Sequence, residues 1–202
     1  VSHILRYRNT KMKITRHNLQ TLIHEELDRA YRSLGSPETV AKALSTYVKW
    51  NEMRSDYDGP PERDPSHQGM LRKFWSATEE EGWEETGPNE PWSAAFVSYI
   101  EDDPWFTPSI RHADYIHDAI VSRIRMEQGY PESGEHVAFS PEEIIPAPGD
   151  KRCYPRDGGN HCDICLDVDC KTVIGGNIGD DIAIRSSDHA PSVAMFITKL
   201  PE

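Results

Sequence analysis

The 202-residue sequence predicts an α+β fold in which N-terminal helices pack on a C-terminal, mostly antiparallel β-sheet. Two features of the sequence predict this class. Apolar residues recur at helical spacing in several segments between residues 15 and 129. From His136 onward, short β-like runs alternate with Pro, Gly and Asp turns. Helices first and strands second are typical of α+β folds, and the length suits one domain with a full core.

The N-terminal part is predicted to contain a leader and a helical hairpin. Residues 1–14 are basic and are expected to form a flexible leader, whereas residues 15–60 predict a helical hairpin that packs on the core. Within it, Ser36-Pro37-Glu38 supplies the cap, the N1 proline and the early acid that begin a second helix. We expect residues 61–202 to form the core domain.

The core domain is predicted to begin with helices and to end with six strands. Asn89-Glu90-Pro91 predicts a helix start that places Ser93 in the first turn, and Ser109 is expected to cap the next helix. Residues 54–68, rich in Pro, Asp and Gly, predict a long surface loop. The predicted strands are HVAF (136–139), DKRCY (150–154), HCDICLDV (161–168), KTVIGGN (171–177), DIAIR (181–185) and VAMFITKL (193–200).

Charge and hydropathy exclude two classes of partner. The formal net charge is −12, and nucleic-acid binding requires clustered Lys and Arg, so we expect no DNA or RNA partner. No apolar run approaches the length of a membrane span, and the leader has no apolar core of signal-peptide length. We therefore expect a soluble protein without membrane insertion. A role at the cell wall would then need a non-Sec route or association with a virion.

All four cysteines lie within eighteen residues, from Cys153 to Cys170. Structural zinc sites usually have two well-separated Cys knuckles, whereas Cys162 and Cys165 would point to opposite faces of one predicted strand. This argument favours reduced structural thiols, with zinc and a disulfide as alternatives. We expect no metal and no cofactor.

Three segments carry the functional argument. They are the residues PWSAAFVS (91–98), the pair of runs APGD (147–150) and HCDI (161–164), and the strand VIGGN (173–177). This order resembles the NlpC and CHAP families of papain-like cell-wall amidases, whose pattern is W-C-A-A-F-V-S, P-G-D, H-x-x-I-V and a strand ending in G-N. The resemblance covers residues 89–198 and implies a papain-like fold. Serine stands where the families carry their nucleophilic cysteine, as in an uncharacterised branch that has the W-S-A-A-F-V-S form.

The resemblance implies three catalytic residues by position: Ser93 as nucleophile, His161 as base and Asn177 as the residue that orients the histidine. Asp163 lies two residues beyond His161, on the same strand face, and is a second candidate for that role. A helix N-terminus favours developing negative charge on the nucleophile. A serine hydroxyl is too basic to ionise there, so a hydrogen-bonded base must take its proton.

Three further residues are predicted to bind substrate. Trp92 adjoins Ser93, although a place in the core competes with a substrate-binding role. His112, with Tyr115 one turn on, follows in the next predicted helix and is expected to line the cleft.

Two functional hypotheses follow. The first is a peptidoglycan amidase or endopeptidase that uses a Ser-His-Asn or Ser-His-Asp site on the peptide part of a murein fragment. The second is a catalytically inactive NlpC/CHAP-like module that binds peptidoglycan or other proteins of a virion, phage tail or secretion assembly. Replacement of the nucleophilic Cys by Ser is the change that would most simply silence such an enzyme.

Overall fold

Helices precede a single sheet in the structure, a computed structural model that describes residues 35–78, 91–130, 134–187 and 193–200. The described helices are α1 (Pro37–Glu52), α2 (Gln68–Ser76), α3 (Ser93–Glu101) and α4 (His112–Glu127). Short 3-10 turns at Pro61–Arg63, Pro65–His67 and Val168–Cys170 lie in the connections. The predicted α+β class is confirmed.

The start of α1 follows the capping chemistry of the sequence. The Ser36 hydroxyl accepts the Thr39 N–H at 3.4 Å, and Pro37 occupies the first position of α1, as predicted. Helix α3 begins at Ser93, which lies in its first turn as predicted, whereas Asn89 and Glu90 of the predicted start lie outside the described residues. The leader and the first half of the predicted hairpin (15–34) lie outside the described residues.

The start of α4 differs from the prediction. Arg111, not Ser109, is the N-cap residue. The Ser109 hydroxyl accepts the Arg111 N–H at 3.0 Å and donates to the Asp114 carboxylate at 2.6 Å, so it supports the turn before the helix. The capping preference of serine located the helix start to within three residues but not the cap itself.

Within the described ranges, six strands form one antiparallel sheet in the order β1-β6-β2-β3-β4-β5. Their bounds are β1 His136–Phe139, β2 Lys151–Arg156, β3 Gly159–Cys165, β4 Thr172–Gly175, β5 Ala183–Ser186 and β6 Met195–Lys199. Each lies within or overlaps one of the six predicted runs. The hairpin of β2 and β3 has the longest register, and it places Tyr154 opposite His161 and Arg152 opposite Asp163.

The main core forms where the helices meet the sheet. An aromatic group drawn from three helices and the residue before α3 lies at its centre, with ring centroids 5.3 to 6.2 Å apart. Its members are Trp50, Phe74, Trp92 and Phe96. A smaller cluster that includes Cys165, Val173 and Phe196 packs separately. None of the helices in the described ranges is long and apolar enough to cross a membrane.

The four cysteines form two disulfides, so the prediction of reduced thiols is wrong. Cys153 bonds to Cys162 directly across the β2–β3 hairpin, and Cys165 bonds to Cys170 in the following turn. As expected from strand alternation, Cys162 and Cys165 belong to different clusters. The pairing depends on the hairpin register, which the cysteine spacing alone does not reveal.

We predict that reduction destabilises the fold. Removing Cys153–Cys162 alone, in a Cys153→Ala/Cys162→Ala variant, should lower the free energy of unfolding by about 2 to 4 kcal/mol, because the unfolded chain regains freedom. Reductant, which also breaks Cys165–Cys170, should lower it further. Urea unfolding with and without reductant measures this change. Thiol titration of the denatured, unreduced protein should find no free thiol, and four titratable thiols would contradict the assignment.

Candidate active site

The N-termini of two helices meet at Ser93. Ser93 is the first residue of α3, and its Oγ lies 2.7 Å from Nε2 of His112, the first residue of α4. A second contact fixes this junction, because the Ser98 hydroxyl donates to the Ser109 carbonyl and accepts the Ser109 N–H, both at 3.0 Å. The chain before α4 is therefore tied to α3 one turn beyond Ser93.

His112 is held on its other side by Tyr115, whose hydroxyl forms a hydrogen bond with Nδ1. Burial lowers the pKa of His112 well below 6.5, and electrostatic interactions with His161 and Arg156 lower it further, although Asp163 opposes them. Burial also raises the pKa of the Tyr115 phenol. Both groups are therefore neutral near pH 7.

Two tautomers of neutral His112 fit this geometry. With the proton on Nδ1, the ring donates to Tyr115 and its Nε2 accepts the Ser93 hydroxyl proton, which is the arrangement a nucleophilic serine needs. With the proton on Nε2, Tyr115 donates to Nδ1 and the ring donates to Ser93. Only the first tautomer can act as a base toward Ser93.

A second histidine unit lies beside this pair. His161 on β3 donates from Nε2 to the Asp163 carboxylate at 3.1 Å. Arg185 donates to the other oxygen of Asp163 at 2.7 Å, and the Tyr154 hydroxyl donates to that oxygen at 3.3 Å. Burial raises the pKa of Asp163, but the hydrogen bond and charge of His161 and the charge of Arg185 outweigh burial, and the net pKa is lowered. Asp163 is therefore ionised.

The structure pairs Ser93 with His112, whereas the sequence argument paired it with His161. The His161 ring lies beside His112, with centroids 5.0 Å apart, and its Nδ1 has no hydrogen-bond partner among the described residues. His112 was expected only to line a cleft. The spacing Ser109-x-x-His112-x-x-Tyr115 was the available indication, since it places histidine and tyrosine one turn apart at a helix start.

Asn177 does not orient His161. It lies in the turn after β4 with a left-handed φ of 56° and is partly exposed. In the described part of the chain, both ring nitrogens of His161 are accounted for without it, because Nε2 bonds Asp163 and Nδ1 is unpartnered. Asparagine tolerates left-handed conformations, which explains its place in this turn. Asp163 is the residue that orients the ring.

The predicted substrate-binding residues are interior. Trp92 packs in the aromatic core and donates from Nε1 to the buried Glu62 carboxylate at 2.9 Å, so it supports α3 from behind. Tyr115 is buried against Phe106 as well as against His112. The structure presents neither ring on the surface.

Two glycines allow β4 to approach the site. A Cβ on Gly175 would overlap the Asp163 carboxylate, and a Cβ on Gly176 would lie 2.6 Å from Cβ of Phe96 on α3. The Gly-Gly pair of the I-G-G-N strand therefore leaves room for Asp163 on one side and for α3 on the other.

The whole site is enclosed. Ser93 is 2% and His112 6% exposed, and His161 and Asp163 are fully buried. An open pocket of about 730 Å³ lies toward the other end of α3, lined by residues that include Lys73, Tyr99 and Asp102. Ser93 does not line it.

The fold and site thus define an α+β protein with a buried Ser-His pair beside a His-Asp pair. A model of a bacterial family described as "uncharacterized protein conserved in bacteria" (DUF2272) matches residues 66–161, just under half of the chain. The matched segment contains Ser93 and His112 and ends at His161. Neither the curated proteins nor the solved structures gave a match.

We predict that Gly175→Ala disturbs the His161–Asp163 pair. The added methyl group collides with the Asp163 carboxylate, so the free energy of unfolding should fall by about 1 to 3 kcal/mol. Urea unfolding measures the loss, and imidazole ¹⁵N shifts of His161 should change with it. Gly69→Ala is the matched control, because a Cβ there meets nothing within 4 Å and should be neutral or stabilising. Equal effects of the two substitutions would contradict the packing argument.

We predict that His112 stays neutral to below pH 6.5 and makes stability pH-dependent. In the unfolded state His112 takes up a proton near pH 6.5, whereas in the folded state it does so only at lower pH. The free energy of unfolding is therefore highest above pH 6.5 and declines as the pH falls below that value. His136, whose pKa burial also lowers, adds to this trend. The drop in unfolding free energy from pH 7.5 to pH 5.5 should be larger for wild type than for His112→Gln. The same pH dependence in both proteins would refute the assignment.

Proposed function

We propose that this chain is a serine-dependent hydrolase of amide bonds, with a papain-like NlpC/CHAP-type fold and the peptide part of peptidoglycan as substrate. The observation that carries the proposal is the 2.7 Å contact between Ser93 Oγ and His112 Nε2 at a helix N-terminus. Ser93 is the nucleophile and His112 is the base that takes its proton.

The position of Ser93 supports acyl transfer. The first backbone N–H groups of α3 have no partner within the helix, and they present partial positive charge beside the hydroxyl. Donors placed in this way stabilise the negative charge that develops on a carbonyl oxygen during attack. Serine at this point thus has both a base and a source of oxyanion stabilisation.

The chain order supports the fold assignment. A helix that carries the nucleophile precedes an antiparallel sheet, and a histidine lies on a central strand beside β4, which is followed directly by Gly176 and Asn177. This is the arrangement that the NlpC/CHAP resemblance implies. The substrate class comes from the same resemblance, because the residues of the site imply only acyl transfer.

The disulfides support a location in an oxidising compartment, outside the cytoplasm, where peptidoglycan is also found. Two structural disulfides account for all four cysteines, and such bonds persist mainly in oxidising environments such as the periplasm and the virion or cell surface. Peptidoglycan lies on that side of the bacterial membrane. A protein that reaches it within a virion or a secretion assembly fits the same chemistry.

The enclosure of the site favours a second function. Ser93 and both histidines are almost inaccessible, and serine replaces the more nucleophilic cysteine of the families it resembles. A catalytically inactive NlpC/CHAP-like module that binds peptidoglycan or partner proteins would keep this core for stability alone. The two functions differ in whether Ser93 reacts.

We predict that a fluorophosphonate probe labels Ser93 and that purified protein releases peptide fragments from murein. Ser93→Ala should abolish labelling and turnover, and His112→Gln should reduce turnover by about 100- to 10,000-fold, because the proton transfer is lost. Mass spectrometry of the labelled peptide and chromatography of murein digests measure these effects. Ser76→Ala, at an exposed position on α2, is the control and should retain both.

The opposite result would establish the inactive module. In that case wild type would neither react with the probe nor release fragments, and murein pull-down would be equal for wild type and Ser93→Ala. A gain of turnover in Ser93→Cys would point the same way, because it would show a working scaffold that the native serine silences.

A further inference from the structure

The Tyr115 hydroxyl completes a hydrogen-bonded chain that runs from the core to Ser93. It bonds to Nδ1 of His112, and Nε2 of the same ring lies 2.7 Å from Ser93 Oγ. Tyr115 is buried, and its ring packs against Phe106 with centroids 5.1 Å apart. His112 therefore lies between two hydroxyl groups, and each of its ring nitrogens faces one of them.

The three groups of this chain carry three protons for two hydrogen bonds. Burial lowers the pKa of His112 well below 6.5, so its neutral ring carries one N–H proton. Burial and the charge of Asp163 raise the pKa of Tyr115, so the phenol keeps its proton. Ser93 supplies the third proton. One hydroxyl proton, either that of Tyr115 or that of Ser93, therefore takes no part in the two bonds.

The chemistry of the two hydroxyl groups favours one direction of donation. A phenol is more acidic than an aliphatic alcohol, so Tyr115 is the stronger hydrogen-bond donor to an imidazole nitrogen. The phenol oxygen shares a lone pair with its ring, so the Ser93 oxygen is the stronger acceptor. The stronger pair of bonds thus has Tyr115 donating to Nδ1 and Nε2 donating to Ser93. In this arrangement Nε2 already carries a proton, and His112 is unable to act as a base toward Ser93.

We propose that Tyr115 is a positioning residue that holds His112 in the Nε2–H tautomer and so keeps Ser93 latent at rest. This regulation rests on the proposed function, because latency has meaning only for a serine that reacts. In the reactive arrangement, Nδ1–H donates to Tyr115 and Nε2 accepts the Ser93 proton. The apparent rate of reaction at Ser93 then scales with the fraction of molecules in the reactive arrangement.

The tautomer of His112 in wild type is the first test, and it needs no substrate. Imidazole ¹⁵N spectra distinguish a ring nitrogen that carries a proton from one that does not. Comparison with His112→Gln assigns the His112 signals among those of the nine histidines. At pH 7.5, His112 should carry its proton on Nε2. A proton on Nδ1 would overturn the proposal.

Tyr115→Phe tests the consequence for Ser93, because it removes the hydroxyl and keeps the ring. Without the phenol proton, the two tautomers of His112 should become comparably populated. In the reactive one, the Ser93 proton passes to Nε2 as the serine oxygen bonds to the phosphorus of a fluorophosphonate and fluoride leaves. The rate of labelling should rise by about 5- to 10-fold, because the preference that one hydrogen bond provides is lost.

Tyr99→Phe is the matched control for this substitution. It also removes a phenol hydroxyl from α3 or α4, but the Tyr99 ring packs on Phe74 and not on His112. Its labelling rate and the ¹⁵N signals of His112 should equal those of wild type. Near-UV circular dichroism confirms that both variants are folded.

The outcomes distinguish failure of this regulation from failure of the proposed function. Labelling of folded Tyr115→Phe at or below the wild-type rate would overturn the control of Ser93 by Tyr115 and leave the Ser93–His112 hydrolase intact. Labelling of Tyr115→Phe alone would support a stronger hold on the tautomer. If neither protein is labelled and neither releases murein fragments, the proposed function fails and the latency of Ser93 fails with it.

Discussion

The fully buried carboxylate of Asp163 is the constraint on which the rest of the site depends. An unpaired charge in a protein interior costs several kcal/mol, so the carboxylate is stable only with its partners in place. Those partners come from three strands: His161 on β3, Tyr154 on β2 and Arg185 on β5. The strand between β3 and β5 contributes Gly175, whose missing side chain makes the room. The Asp163 carboxylate is therefore stable only when strands β2, β3, β4 and β5 are in this register, and the same carboxylate orients the His161 ring.

The helical side of the site is fixed by different means. The two hydrogen bonds between Ser98 and Ser109 hold the start of α4 against α3, and Trp92, bonded to Glu62, supports α3 from the core. The Cys153–Cys162 disulfide fastens the hairpin that carries His161. Ser93 and His112 thus lie at a helix junction that hydrogen bonds hold beside the strand of His161, and the proposed acid–base chemistry would require such preorganisation.

The elements of the fold follow from local pattern, whereas the pairing within the site does not. Short β-like runs between Pro, Gly and Asp turns located all six described strands, and the cap at Ser36 follows from local chemistry. The shared strand face of His161 and Asp163 is also local. The contact of Ser93 with His112 is set by how α3 meets α4, and the cysteine pairs are set by the β2–β3 register. The Ser93–His112 contact and the disulfide pairing both depend on tertiary structure, which residue spacing in the sequence does not determine.

An enclosed site imposes one more condition on its chemistry. In a low-dielectric interior, a step that changes the net charge is costly, because neighbouring dipoles cannot reorganise as water does. In the proposed acylation, transfer of the Ser93 proton to His112 leaves the net charge of the site unchanged, because a negative charge forms on the attacked carbonyl oxygen as the imidazolium forms. Burial and the charge of Arg156 disfavour that imidazolium, whereas the charge of Asp163 favours it. The backbone N–H groups at the start of α3 are placed to stabilise the negative charge, so the burial that lowers the pKa of His112 is compatible with its proposed role as a base.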